Sequence, residues 1–553
     1  MEKRLLLAAG LSLAVLIVWE LAVPKPKRPA PRSPAPVSTA LASPAAVAGV
    51  AAAPSAPTLA SAPVAAATET STVIENGVVR LTLTNRGAVI SSAVLSRYKD
   101  EQGRPLELVR QLPPPAPRPL ALDFPGHPDR TARASTALYV VERLSDREAR
   151  LHYSDGEVEI TKKIRLGEGY LFDLSVRVVG PAFEAFVASG LRNPTEAERT
   201  NRYVAPATGI AISGGGLQQV RAEKLEKSDK PLSWPVPANG FAGLEDNYFL
   251  AVFLPERAAE AVLSPVALKD SAGKPQTTVS AAVTGNGELT ARAYFGPKDV
   301  EILESLHLGL ERTVDFGWYG VLARPLLWLL KRTYAWIGNW GWAILLVTLL
   351  IRILLFPLMH KSYASMKKMQ KLAPKMNAIK DKYKKAKTDA AQRAKMNQEL
   401  MTLYQAEGYN PMSGCLPILL QLPILVAFYN VLSRSIELRH APFALWIKDL
   451  SAVDQTYVLL ILMTVSMYVQ QAMTPSTADP AQKKIFMAMP LLWGFFLKDM
   501  PSGLVLYWLF SNILTILQQV LINKIVKDDV PATAAARSPG RKARMPQTKG
   551  AGR

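Results

Sequence analysis

The chain has 553 residues, 49% of them hydrophobic, and a formal charge of +20. That length exceeds one ordinary domain, and the apolar residues gather in runs of about 20, the length of a membrane span. Cys415 is the sole cysteine, which excludes an intramolecular disulfide, and the five histidines are scattered without metal-ligand spacing. The sequence contains no GxxxxGK[ST] phosphate loop and no GxSxG elbow, so it does not read as an ATPase or a serine hydrolase. The basic charge flanks the apolar runs, which favours loops of a membrane protein over a nucleic-acid binder.

Leu5 to Val23 is the first apolar run and follows Met-Glu-Lys-Arg. It ends Trp19-Glu-Leu-Ala-Val-Pro24 without a small-x-small cleavage site, so it reads as an uncleaved transmembrane anchor over residues 1–23. Residues 24–71 begin with a Pro/Ala/Ser-rich stretch that lacks periodicity and predict a disordered linker.

From residue 72 to about 316 the pattern changes. Val79, Leu81 and Leu83 alternate with polar residues, as do Phe172, Leu174, Val176 and Val178. Asn76-Gly77 and Asp155-Gly156 mark hairpin turns, and Gly285-Asn-Gly287 separates two more strand-like stretches. A large all-β sandwich follows. Pro297 to Leu310 predicts a helix with Val300, Leu303, Leu306 and Leu310 on one stripe. Residues 317–336 read as an amphipathic helix suited to a membrane interface, since Leu326, Leu327 and Leu330 are interleaved with Arg324, Lys331 and Arg332 among Trp and Tyr residues.

Residues 337–525 hold five apolar runs: Gly338–Pro357, Cys415–Leu432, Tyr457–Met473, Ile485–Leu497 and Gly503–Ile522. The fold class is therefore a multi-pass α-helical membrane protein, with an anchor and a five-span core, carrying a large all-β domain. The segment between the first two runs, 360–411, has twelve Lys/Arg against four acids, and the tail over 526–553 is also basic. The positive-inside rule places both in the cytoplasm, together with the N-terminus, and puts the β domain outside. Lys25, Lys27, Arg28 and Arg32 oppose this placement locally, but long domains cross largely regardless of flanking charge.

The cytoplasmic segment predicts a helical hairpin. Met366, Met369, Leu372, Met376, Ile379 and Tyr383 share one face; Thr388-Asp389 can cap a second helix carrying Met396, Leu400 and Leu403 and stopping at Gly408. The methionines either pack the two helices together or offer an adaptable apolar surface to varied partners. The lysines suit anionic lipid or ribosomal RNA.

Arg352 lies inside an apolar run, where a charge costs ~2.5–3.5 kcal/mol on insertion scales. Thr348 shares its helix face. Ser511, Thr515 and Gln518 form a stripe in the last run, with Asn512 and Gln519 beside it, and Gln421 sits between Pro417 and Pro423. Together these residues outline a polar cavity floored by one cation; the competing readings are snorkelling for Arg352 and plain helix–helix bonding for the others. No catalytic pair is present, so the chain does not read as an enzyme, and no cofactor is expected.

Gly338-Asn-Trp-Gly-Trp342, Arg352 with Phe356-Pro357, Asn410-Pro-Met-Ser-Gly-Cys-Leu-Pro417, Gln421-Leu-Pro423, Ala441-Pro-Phe-Ala-Leu-Trp446 and Pro501-Ser-Gly-Leu-Val-Leu-Tyr507 carry a resemblance. The chain resembles the YidC-type membrane protein insertases of bacteria with two membranes. The resemblance implies a β-supersandwich outer domain in the periplasm and an inner-membrane location. It implies insertion of nascent membrane proteins, alone or with the Sec translocon, through a hydrophilic groove that contains Arg352. It further implies substrate contact at Thr348, Leu422, Leu425 and Trp508, and receipt of substrate by the hairpin. Trp508 stands where a Tyr is common, so no hydroxyl is present there. A monomer is expected to suffice. Two rivals remain: a small-solute transporter with a periplasmic accessory domain, and an anchored carbohydrate-binding protein. The first lacks repeat halves and paired ionisable groups; the second leaves the five-span core without a role.

Overall fold

The computed structural model describes residues 62–194, 198, 206–228, 230–269, 275–383, 389–407, 416–474 and 480–525. The expected anchor, most of the linker, Thr388, Gly408, Asn410–Cys415 and the basic tail lie outside them.

The N-terminal part of this region, a little over half of it, is a β domain of three sheets, and every ladder between its strands is antiparallel. Nine strands form the largest sheet, in the order Gly216–Val220, Thr208–Ser213, Ala242–Glu245, Phe249–Pro255, Glu288–Pro297, Leu171–Val179, Glu159–Leu166, Glu148–Ser154, Val140–Ser145. A five-stranded sheet packs on it, in the order Leu232–Val236, Ala259–Lys269, Pro275–Gly285, Phe183–Ser189, Leu122–Asp123. The third sheet runs Ser71–Glu75, Val79–Thr84, Val89–Lys99, Pro105–Glu107. The period-2 pattern explains the layers: Phe172, Leu174, Val176 and Val178 are all buried, while their neighbours point outward. Gly285-Asn-Gly287 joins strands of two different sheets, so it is a crossing between layers.

Among the described residues this domain has three short α-helices: α1 (Pro128–Thr136), α2 (Ala222–Glu226) and α3 (Val300–Ser305). The helix expected over Pro297–Leu310 is thus only six residues long. Asp299 caps its start by accepting from the Glu301 and Ile302 amides. It stops because His307 and Gly309 both take positive φ, at 53° and 73°, which a right-handed helix excludes. The end of the expected linker also differs: Val64 pairs with Ser154, and the Ala66 amide donates to Leu138 O at 2.7 Å. A sheet edge supplies backbone partners that composition does not reveal.

Among the described residues, seven α-helices form the core: α4 (Gly320–Ile337), α5 (Trp340–Lys382), α6 (Ala390–Ala406), α7 (Leu416–Arg434), α8 (Val458–Met473), α9 (Pro480–Phe496) and α10 (Ser502–Ile525). The run expected to end at Pro357 instead continues as one 43-residue helix through Pro357 and Pro374. A proline removes one helical hydrogen bond and bends the ladder but does not have to end it. Helix α10 packs on α5, α7 and α8; α9 packs on α8; and α4 packs on α5 and α7. Within α5 and α10, Trp340–Tyr363 and Ser502–Ile522 are long and apolar enough to cross a membrane.

The β domain is joined to this core by charge and by aromatic contact. Lys331 of α4 pairs with Glu437 at 2.6 Å, Glu301 at 3.2 Å and Asp299 at 3.5 Å. Arg439 donates to Lys99 O at 2.7 Å and lies over the Phe249 ring, and Asn430 of α7 donates to Phe316 O.

Candidate functional site: a cationic seam between three helices

Helix α5 begins at the N-cap Asn339, whose side chain accepts from the Trp342 amide. One turn separates Thr348 from Arg352, so both face the seam between α5, α7 and α10. The Thr348 hydroxyl is satisfied by its own helix, donating to Ile344 O at 2.6 Å, and the residue is 2% exposed. Arg352 is half-buried, and its Nη2 donates to the hydroxyl of Ser511. Gln421 of α7 reaches the same point: its Nε2 donates to Tyr507 OH at 2.9 Å and to Ser511 Oγ at 3.4 Å. Two helices therefore direct donors at one hydroxyl of a third. No carboxylate pairs with Arg352 among the described residues. The seam carries an uncompensated positive charge beside neutral acceptors, an arrangement that attracts anionic groups.

The other expected site residues separate into groups. Thr515 lies on the Ser511 stripe and donates back to Ser511 O at 2.8 Å. Gln518 lies further along the stripe, and its Nε2 has no partner among the described residues. Leu422 is 50% exposed, and Leu425 and Trp508 are half-buried at the edge of the apolar core. Asn512 departs from the expected cavity. It is buried and donates to Ser466 of α8 at 3.0 Å, because consecutive helix residues point ~100° apart. Gln519 likewise reaches Thr474 beyond the end of α8. Tyr507, present in the sequence only as the end of a resemblance motif, joins the site because it lies one turn before Ser511. It is buried and stacks on Phe428 of α7 at 4.0 Å.

One end of the seam is covered by the segment between α7 and α8. A Cβ on Gly341 would lie 2.0 Å from the Phe443 ring, so only glycine permits this approach. Trp342 meets Phe443 edge-on at 5.5 Å, and the Asn339 amide donates to Phe443 O at 3.0 Å. The start of α10 closes the same layer, with Ser502 donating from both N and Oγ to Ala452 O and Gly503 N donating to Leu450 O. Burial favours protonation of Asp449 in this segment. Hydrogen bonds from His440 and Ser451 outweigh that effect and hold its carboxyl below the usual range.

At the far end of α5, α6 packs back along it. Lys375 pairs with Glu407 at 2.6 Å and Lys382 with Glu399 at 2.9 Å. Asp389 caps α6 by accepting from the Ala391 and Gln392 amides. Met376 is buried beneath Tyr404, so it serves the packing between the two helices. Met366, Met369 and Met396 are half-buried.

Residues 71–329 match the family model described as the YidC periplasmic domain, and residues 332–529 match that of the 60Kd inner membrane protein. A membrane protein insertase YidC from Syntrophus aciditrophicus (strain SB) is 35% identical, with 95% of this chain and 100% of that one covered. Its counterpart from Geobacter metallireducens is 34% identical over 95% of this chain and 99% of its own length. The chain belongs to the YidC membrane protein insertase family. Its β domain is accordingly the periplasmic domain of an inner-membrane protein. Among solved structures, an active YidC insertase with its first transmembrane domain resolved covers 83% of this chain and 95% of its own, at 20% identity and a TM-score of 0.35.

Proposed function

We propose that this chain receives nascent membrane proteins in the seam between α5, α7 and α10 and releases their apolar segments into lipid, alone or with the Sec translocon. The observation that carries this reading is Arg352, a cation held by a neutral hydroxyl with no carboxylate partner among the described residues. It attracts acidic flanks of a client without binding chemistry, and neighbouring polar groups lower the cost of admitting hydrophilic chain. Transfer of apolar segments into lipid supplies the driving force, aided by the membrane potential on acidic tails. No nucleotide or cofactor is required.

In this reading α5, α7, α8, α9 and α10 are five spans, both termini are cytoplasmic, and a monomer suffices. Helix α9, with 17 residues, extends ~25 Å, short of a ~30 Å hydrocarbon core. Leu422, Leu425 and Trp508 form the apolar rim that a client segment meets, with Thr348, Gln421, Thr515 and Gln518 along the interior. The α5–α6 hairpin is the cytoplasmic receiving surface. Met366, Met369 and Met396 are its adaptable contacts, and its lysines suit the ribosome or anionic lipid.

Photocrosslinking from Thr348, Leu425 and Trp508 to stalled nascent membrane proteins tests the proposal. Crosslinks to apolar segments and their acidic flanks are expected. Their absence from all three positions in a folded protein would turn the assignment toward a small-solute transporter.

A further inference from the structure

Arg352 is eight residues from His360 and nine from Lys361, close enough to the basic end of α5 for its long side chain to turn toward water. It is instead held sideways, across the seam, by Ser511. The holding group is itself fixed. Ser511 is 2% exposed and its side chain is short, so it has little rotational freedom at the helix interface. Gln421 donates to it from α7, and the same amide is anchored on Tyr507, which stacks on Phe428. A hydroxyl has two acceptor sites, and here two donors, one cationic and one neutral, converge on it.

We propose that Ser511 is a positioning residue for Arg352: it keeps the guanidinium directed across the seam toward an entering client while leaving its charge uncancelled. This rests on the client-attracting role given to Arg352 above. The chemistry of the holding group matters. A carboxylate at position 511 would hold the guanidinium more strongly but would neutralise it, since charge-assisted bidentate pairs are the strong ones. An aliphatic residue would leave donors unpaired in an apolar seam, and the side chain would swing toward the basic end of α5. A neutral hydroxyl holds direction and preserves charge. An incoming client carboxylate, as the stronger acceptor, then displaces or joins it.

The test is insertion by the full chain in lipid vesicles, using two clients that differ only in whether the translocated segment is acidic or neutral. The readout is the ratio of acidic to neutral insertion, which a general folding defect does not move. Arg352→Ala sets the reference. Ser511→Ala is expected to lower the ratio about fivefold, as loss of a hydrogen bond of typical net strength implies, and Ser511→Thr to restore it. The double variant Ser511→Ala/Arg352→Ala is expected to match Arg352→Ala alone. A double variant showing both losses multiplied would overturn the positioning role. If Ser511→Ala does not fold, Ser511→Asp decides: the ratio should fall toward that of Arg352→Ala, and an unchanged ratio overturns the proposal. If Arg352→Ala itself leaves the ratio unchanged, the charge-attraction reading fails, independently of Ser511.

Discussion

The Arg352 guanidinium and the Ser511 hydroxyl join helices whose contacting residues are 159 positions apart in sequence. The cation therefore belongs to the seam between α5 and α10 and not to the basic surface at the end of α5. Arg352→Ala is expected to reduce insertion of clients with acidic translocated segments by roughly tenfold relative to neutral ones, the ratio that ~1.4 kcal/mol of lost attraction gives. Arg352→Lys is expected to retain most of the difference, because it keeps the positive charge on which the proposed attraction depends. Insertion assays with paired clients check this, and equal loss for both client classes would sink the charge argument.

Lys162 is 0% exposed and donates to three backbone carbonyls: Gly87 at 2.9 Å, Ala88 at 3.0 Å and Leu120 at 2.7 Å. It thereby pins the turn of the four-stranded sheet to the nine-stranded one. Burial pushes its ammonium down to about 7. The folded value is thus below the ordinary one of an unfolded lysine, so between about pH 7 and the usual lysine range the unfolded chain binds the extra proton and stability rises with pH. The slope from this group is at most about 1.4 kcal/mol per pH unit. Lys162→Met should remove that slope and leave three carbonyls without their donor, lowering stability by ~1–3 kcal/mol. Denaturant titrations of the two proteins from pH 7 to 10 give the difference directly; parallel curves would refute it.

Lys162 also marks a limit of reading sequence. It stands between Ile160 and Ile164 on one face of its strand, and both are buried, so the alternation already pointed it inward. Its charge argued for the opposite. The alternating strands, the Asp389 cap and the shared face of Thr348 and Arg352 were legible because each depends on local spacing. Polarity within apolar runs is enough to group Gln421 and Ser511 with Arg352, but which of them bond to one another, and the part of Tyr507, depend on which helices pack. Periodicity grouped Asn512 with Ser511, whereas the position of α8 behind α10 separates them. Pro357 does not mark the end of its helix as the sequence suggests: it removes one helical hydrogen bond, and the rest of the ladder carries α5 on through it.

The contact of Gly341 with Phe443 brings together two of the sequence stretches that carry the family resemblance. Gly341→Val should force the segment between α7 and α8 away from the seam, since even one Cβ meets the ring at 2.0 Å. Overpacking of this kind costs ~1–3 kcal/mol. A cysteine introduced at Leu445, already exposed, serves as control, while one at Ile447, now buried, should become reactive to a water-soluble maleimide in the Gly341→Val background. Phe443→Ala should relieve the clash and return Ile447 to protection. Protection persisting in Gly341→Val alone would mean the segment adapts without opening.

The joint at Lys331 makes a separate prediction about how the β domain is held. Burial favours the neutral amine of Lys331, but the carboxylate of Glu437, with Asp299 behind it, outweighs this and holds its pKa above the ordinary lysine value. A raised folded value means the pairing stabilises the joint throughout the pH range below the usual lysine value and is lost as pH rises through the folded one. Neutral pH is therefore inside the stable window. Lys331→Met leaves three carboxylates of two domains facing one another, and like charges at that range disfavour the docked arrangement by ~1–3 kcal/mol. Hydrogen exchange should then quicken at Val300–Ser305 and Ile436–Leu438 while the nine-stranded sheet keeps its protection. Lowering the pH to about 4, near the ordinary Glu pKa, should partly restore the slow exchange in the variant by protonating the acids. Exchange that quickens equally across the whole β domain would mean that Lys331 stabilises the fold itself, and the joint would then have to be sought at Arg439 and Phe249.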